Sequence, residues 1–326
     1  MKNKLAYFIS KSSMFGIGFL ILIQTNGKNA YLSIILGTLL GILIIYFYGL
    51  FKKKKIDNKL YKFLITFFSI FLICTYLMIL SIFINSFYLV NTPRIFVLIP
   101  FILVSLLLIN KDIKILFNLS NLFYFISIFF VLLFGSFLIK YIDMNNLKPF
   151  LNFKSIDIIN GALMYASITS IPLILIVDYY DSTKDIIKDY FIAANINYII
   201  LMAITLTFGD SLMKMYTYPE YASLKQIKMF NFIENIENIS TFGWYTEIFM
   251  FISLLTRKIK ENIPFKFSNI YLIIILLSSI FLIDYLIGNH YHFFLLVYKY
   301  YHFILISFFL LFLIIYLLPK KRILGK

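Results

Sequence analysis

Long apolar runs without a charged side chain set the strongest limit on what this chain can fold into. The clearest are Phe63–Pro93 and Ile115–Ile139. A helix needs about 20 mainly apolar residues to cross the hydrocarbon core of a bilayer. Transmembrane β-strands would be shorter and would alternate apolar with polar residues, and runs such as Phe129–Phe134 do not alternate. The sequence therefore predicts an all-α integral membrane protein.

Composition argues against the soluble classes of protein. Of the 326 residues, 61% are hydrophobic and 14% are charged, whereas soluble domains carry about 25% charged residues. A net charge of +15 fits basic loops beside anionic lipid, so we expect a lipid bilayer and no nucleic acid as partner. The single cysteine, Cys74, excludes an internal disulfide. The sequence has no nucleotide-binding glycine loop and no HExxH motif, and we predict no enzyme, no cofactor and no metal.

Ten apolar runs are bounded by charged or turn-forming residues, and we predict one transmembrane helix in each. They are Ser12–Gly27, Asn29–Phe51, Phe63–Pro93, Ile95–Asn110, Ile115–Ile139, Ile158–Val177, Tyr190–Gly209, Ser240–Thr256, Phe267–Ile283 and Tyr300–Pro319. We expect one domain over residues 1–326, with helices one to five over about 4–140 and helices six to ten over about 158–319.

Basic residues predict the orientation of these helices. With the N-terminus inside, the inner segments hold 20 lysines and arginines and the outer loops hold 9. Loops rich in positive charge stay in the cytoplasm, so we expect both termini there. The longest outer loop spans residues 210–239. It contains Tyr218-Pro219-Glu220, which we expect to break helix. An interfacial helix should follow, because apolar residues recur at Leu224, Ile227, Phe230 and Ile233.

Several local patterns occur in an order that is typical of one family of membrane proteins. They are Ile17-Gly18, Asn29–Gly37, Asn91-Thr92-Pro93, Tyr218-Pro219, Phe232–Glu237 and Trp244. In this order the chain resembles the spore-germination permease family, the B subunits of nutrient germinant receptors (GerAB type), within the amino acid–polyamine–organocation superfamily. One departure lies in helix six, where Thr169–Ile174 keeps a proline but lacks the family's glycine and glutamate.

The resemblance implies a fold of the LeuT type, a five-plus-five inverted repeat in which helices one and six are broken at mid-membrane. It implies a germinant-receptor subunit of the cell or inner spore membrane that acts with other receptor subunits. A small nutrient, expected to be an amino acid, would bind between helices one, three, six and eight. The expected ligand-binding residues on helices one, three and six are Ser13, Gly16, Gly18, Tyr76, Ser167, Thr169, Ser170 and Pro172. Close helix packing by the glycines and a simple proline kink stay open as alternatives.

Charged residues inside the apolar runs are the other candidates. Glu247 has nine uncharged residues on each side, so we expect it to face the bundle interior and to bind a proton or a ligand amine. A neutral structural glutamate is the alternative. We expect Lys11 to snorkel to the cytoplasmic interface, although it would also suit the place of a monovalent coupling cation. His290 and His292 are expected to be solvated rather than metal ligands.

Three functions therefore stay open from the sequence. The first is a nutrient-binding germinant-receptor subunit. The second is an amino-acid transporter coupled to protons through Glu247. The third is a scaffold subunit of a membrane complex that has lost transport, which the changed helix-six turn favours.

Overall fold

In a computed structural model, the structure describes residues 3–54, 59–149, 154–227, 237–263, 268–287 and 290–317. Over these ranges the chain is helical and has no β-strand, as predicted. The first six helices are α1 (Leu5–Ser12), α2 (Phe19–Asn26), α3 (Ala30–Lys54), α4 (Lys59–Phe87), α5 (Arg94–Ile109) and α6 (Ile113–Leu138). They are followed by α7 (Ser155–Ser170), α8 (Thr183–Met213), α9 (Pro219–Leu224), α10 (Glu237–Asn262), α11 (Ser268–Ile287) and α12 (His290–Leu317).

Among the described residues, seven helical stretches are long and apolar enough to cross a membrane, and two shorter apolar helices accompany them. The first stretch, Leu5–Leu50, contains two of the predicted spans. They are separated at Gly27, where φ is +53°. Large apolar side chains such as Phe125 (70% exposed) and Leu107 (68% exposed) face outward, as they do where lipid replaces water. The protein is therefore an all-α membrane protein, and ten crossings stay a prediction.

Helix one is interrupted after α1. The backbone is extended at Phe15 (ψ 127°), and Gly16 has φ +66°. Residue 16 must be glycine for two reasons. L-residues avoid this φ, and an added Cβ would lie 2.8 Å from Ile79 and 3.0 Å from Tyr218. The chain becomes helical again in α2, so two half-helices meet at a non-helical turn near Gly16.

Helix six behaves differently. It changes at Ser170 from the α-helix α7 to a 3₁₀ helix over Ile171–Tyr179, with Pro172 in the first turn. Runs of 3₁₀ helix longer than three or four residues are uncommon. Proline supplies no backbone N–H and favours such a local change in helix geometry. The structure therefore shows a tightened helix at this position, without the non-helical turn that interrupts helix one.

The centre of the bundle is formed by α1. Every residue from Leu5 to Gly18 is buried, because α1 packs against α6, α7, α8, α10 and the 3₁₀ segment. Helices α3 and α7 approach closely, and a Cβ added to Gly37 would lie 2.7 Å from the Ala162 carbonyl oxygen. Small residues at such contacts are typical of membrane helices, which associate through close packing.

The outer segment packs into the bundle where the structure describes it. Tyr218-Pro219-Glu220 starts the short helix α9 instead of breaking one, with proline in its first turn. Five of the six residues of α9 are buried, because the segment packs on α8, α10 and α2. Of the predicted interfacial helix, Phe230 and Ile233 lie outside the described residues.

Candidate ligand site

Two opposite charges meet in the interior of the bundle. Lys11 of α1 forms an ion pair with Glu247 of α10, and both side chains are buried. The Ser127 hydroxyl of α6 donates to Glu247 Oε1 at 2.7 Å and accepts from Lys11 Nζ at 2.9 Å. The Tyr7 hydroxyl lies 2.7 Å from the same Ser127 oxygen. The pair and its hydrogen bonds offset the cost of placing charge inside a membrane protein.

The position of Lys11 shows that the expected snorkelling is wrong. Helix α1 begins at Leu5 rather than at Ser12, so Lys11 lies well inside the bundle instead of at its edge. Only 7% of its surface is exposed. Its carboxylate partner, 236 residues away in sequence, holds the ammonium group in the interior.

A second carboxylate reaches the helix-one break from the outer segment. The Gly16 backbone N–H donates to Glu220 Oε1 at 2.8 Å. Glu220 is 3% exposed, and within the described part of the chain its Oε2 has no hydrogen-bond partner. Burial raises the pKa of Glu220 to about 7, and the Gly16 N–H offsets part of that shift. An unpartnered buried carboxylate oxygen is costly and is unusual without a function.

These groups surround one cavity of about 90 Å³. A cavity needs at least roughly 10–15 Å³ of such space to hold one water, so this cavity has room for a group larger than a single water. Its polar lining consists of Lys11, Ser127, Asn197, Glu220, Ser223, Ser240 and Glu247. The rest is apolar and includes Phe130, Phe134, Leu138 and Trp244. A few polar groups in an apolar cavity are typical of a small-molecule site.

Asn197 adds an acceptor to the same cavity from α8. Its side chain is fully buried, and within the described part of the chain Oδ1 has no hydrogen-bond partner. Its Nδ2 makes long contacts of 3.4 Å with the Ser10 carbonyl and the Tyr165 hydroxyl. The amide is therefore held by its nitrogen, and its oxygen is left for another donor.

Aromatic rings cover the helix-one break. The Phe15 ring lies 5.0 Å from Trp244 and 5.4 Å from Phe83, measured between ring centroids. Phe83 in turn lies 5.0 Å from Tyr218 and 5.2 Å from Tyr221. This cluster connects α4, the outer segment and α10 around Phe15, so the break is held by packing as well as by Glu220.

Comparison with protein families identifies the chain. Residues 2–290 match the spore permease family, which is described as spore germination protein. The chain belongs to the spore germination permease family. The match confirms the resemblance seen in the sequence. No curated protein matches this chain.

Most of the predicted ligand residues of this permease lie away from the cavity. Of the nine, only Glu247 lines it. Three hydroxyls on α7 bond to carbonyls of their own helix at 2.6–2.8 Å: Ser167, Thr169 and Ser170. The Ser13 hydroxyl likewise bonds to the Ile9 carbonyl at 2.6 Å.

The remaining predicted residues have packing roles in the structure. Tyr76 is buried with its ring centroid 4.8 Å from that of Phe251. Pro172 belongs to the 3₁₀ segment. A Cβ added to Gly18 would meet the Met14 sulfur at 2.6 Å. Gly16 contributes its N–H to Glu220, which joins it to the cavity indirectly.

At the other end of α1, a polar cluster ties the N-terminal segment of the permease to α8. Lys4 forms an ion pair of 2.6 Å with Asp189, and the Tyr180 hydroxyl donates to Asp189 at 3.0 Å. The Ala6 N–H donates to the Tyr180 hydroxyl at 2.8 Å. These bonds fix the start of α1, whose last turn carries Lys11.

Proposed function

We propose that this permease is the membrane subunit of a germinant receptor, that it binds a small nutrient in the cavity beside the helix-one break, and that it takes part in spore germination. The observation that carries the proposal is the cavity itself, in which Glu220, Asn197 and the Lys11–Glu247 pair surround an apolar space. The expected nutrient is an amino acid, because charged and apolar surfaces are both present. The function proposed is binding and signalling, without catalysis.

The proposed architecture is ten membrane crossings in a five-plus-five repeat of the LeuT type. The non-helical turn between α1 and α2 supports it, since broken helices at mid-membrane form the sites of such proteins. We place the subunit in the inner spore membrane with both termini in the cytoplasm, and we expect other receptor subunits as partners. Occupation of the cavity would favour one arrangement of the two half-helices over the other and so signal to those partners.

A proton-coupled amino-acid transporter is the second candidate. One observation favours it: Glu247 lines the cavity while paired with Lys11, so protonation of the carboxylate would release the lysine into the same space. In proteoliposomes with an inward proton gradient, such a carrier would show saturable amino-acid uptake that Glu247→Gln abolishes. The absence of uptake from folded protein, together with ligand binding, would support the receptor subunit.

The experiment that tests the proposed function measures binding and germination together. The full chain in lipid nanodiscs is titrated with amino acids, sugars and nucleosides while its thermal unfolding is recorded. A ligand that binds only the folded state raises the unfolding temperature, and the stabilisation grows with the logarithm of one plus the ligand concentration over Kd. Spores that lack the chain are then tested with the same compounds. Normal germination of these spores with every compound, together with no binding to the chain, would support a scaffold subunit instead of a nutrient receptor.

A further inference from the structure

We infer that the cavity recognises a positively charged group, an ammonium, through Glu220 Oε2 and Asn197 Oδ1, and that Glu247 does not take this part. The inference deepens the proposed function and rests on it. Both oxygens are buried acceptors without a partner in the described part of the chain, and both residues line the cavity. A ligand group that satisfies both acceptors must donate hydrogen bonds, as an ammonium group does.

The charge balance of the cavity decides the sign of the ligand. Lys11 and Glu247 neutralise each other and share the Ser127 hydroxyl. Ionised Glu220 is then the one uncompensated charge among the residues that line the cavity. Its other oxygen accepts from the Gly16 N–H, which fixes the carboxylate without neutralising it. A cation is therefore attracted to the Glu220 carboxylate. A neutral molecule lacks this attraction, and an anion is repelled.

The walls add to this preference. Phe15 and Trp244 line the cavity, and aromatic faces attract cations in desolvated surroundings. The apolar side chains of α6, among them Phe130 and Phe134, also line it and suit the carbon skeleton of a small ligand. The site is thus built for an ammonium group attached to a small apolar body.

The test uses matched sets of ligands that share an apolar body and carry the ammonium group, the carboxylate or both. Alanine is compared with ethylamine and propionate, and valine with isobutylamine and isovalerate, by calorimetry on the full chain in nanodiscs. We expect the amino acid and the amine of a set to bind and the acid not to bind. Glu220→Gln should weaken binding of both by at least about tenfold, the value of one hydrogen bond to a charged group. Asn197→Leu should weaken it in the same direction.

Controls separate the residue from its surroundings and the amine from other cations. Glu237→Gln alters another buried glutamate of the outer side, one that is not among the residues lining the cavity, and should leave amine binding unchanged. Titrations with KCl and NaCl against sorbitol of equal osmolality test an alkali ion as the source of the positive charge. Competition of either ion with the amine supports a cation site. The loss of that competition in Glu220→Gln locates the site at Glu220.

Three results would overturn the inference. They are equal binding of the acid and the amine, unchanged amine binding in Glu220→Gln, and no binding of any cation to the wild-type chain. Binding of a neutral sugar or nucleoside alone would also reject the ammonium site, but it would leave the proposed nutrient receptor standing. Failure of the proposed function is different: spores without the chain would germinate normally with every compound.

Discussion

The backbone N–H of Gly16 donates to Glu220 across 204 positions of sequence, and this bond joins the break in helix one to the outer segment. A backbone group that has lost its helical partner is satisfied by a side chain from outside the helix. Any ligand that moves Glu220 therefore acts on the two half-helices α1 and α2. This link gives the cavity a direct route to a change in the shape of the bundle.

Replacing Gly16 tests that link. Gly16→Ala should destabilise the protein by roughly 1–3 kcal/mol, because alanine is strained at φ +66° and its Cβ would meet Ile79 and Tyr218. Thermal unfolding in nanodiscs measures the effect. Gly135→Ala is the matched control, since a Cβ there meets nothing within 4 Å. Equal stability of the two variants would show that the turn at Gly16 tolerates side chains.

The Lys11–Glu247 pair predicts strong coupling between two substitutions. Lys11→Met leaves the Glu247 carboxylate buried without its partner and should cost about 3–5 kcal/mol, as should Glu247→Leu. The double variant should recover most of that loss, since it removes both charges. Unfolding of the four proteins forms a double-mutant cycle. Additive losses would mean that the two side chains do not pair in the membrane.

The pKa of Glu220 predicts how stability depends on pH. Burial raises this pKa from 4.5 to about 7 in the folded protein. The folded state then binds a proton that the unfolded state has released, so stability should fall as pH rises from about 4.5 to about 7. The other charged groups around the cavity, Lys11 and Glu247, are paired with each other. The unfolding temperature of the unliganded chain should decline across this pH range. Glu220→Gln should remove the part of the decline that is due to this residue.

The same titration has the opposite effect on an ammonium ligand. The ligand prefers the ionised carboxylate, so its affinity should rise between pH 5 and pH 8. Calorimetry with ethylamine, which stays protonated over this range, measures the change. Affinity that is flat over the range in the wild type, or a slope that survives in Glu220→Gln, would assign the titration to another group.

The sequence was sufficient for the class of fold and for one charged residue of the site. Uncharged flanks predicted the depth of Glu247, and the structure buries it at the cavity wall. Its partner was hidden because Lys11 lies near the N-terminus, where a lysine ordinarily marks the end of a span. Two unusual charges in separate apolar runs were the signal that could have paired them.

Other parts of the site could not be predicted from patterns in the sequence. Glu220 lies in a loop that is polar in sequence, and only the packing of α9 buries it. The hydroxyls of α7 were attractive candidates, but in an apolar bundle a hydroxyl bonds readily to the carbonyl of its own helix. The three on α7 do so, as the bond of Thr169 to the Tyr165 carbonyl shows. Ser127 gave no signal, since it is one of many serines in apolar helices.

The most direct measurement fills the cavity and records germination. Gly135 lines the cavity and has free space where a side chain would begin, so Gly135→Leu should occupy the ligand's volume without unfolding the protein. Ser136→Leu places the same side chain on the exposed face of α6 and serves as the control. We expect spores with Gly135→Leu to lose the nutrient response that spores with Ser136→Leu keep, at equal amounts of protein in the membrane. Full germination of the Gly135→Leu spores would contradict a ligand site in this cavity.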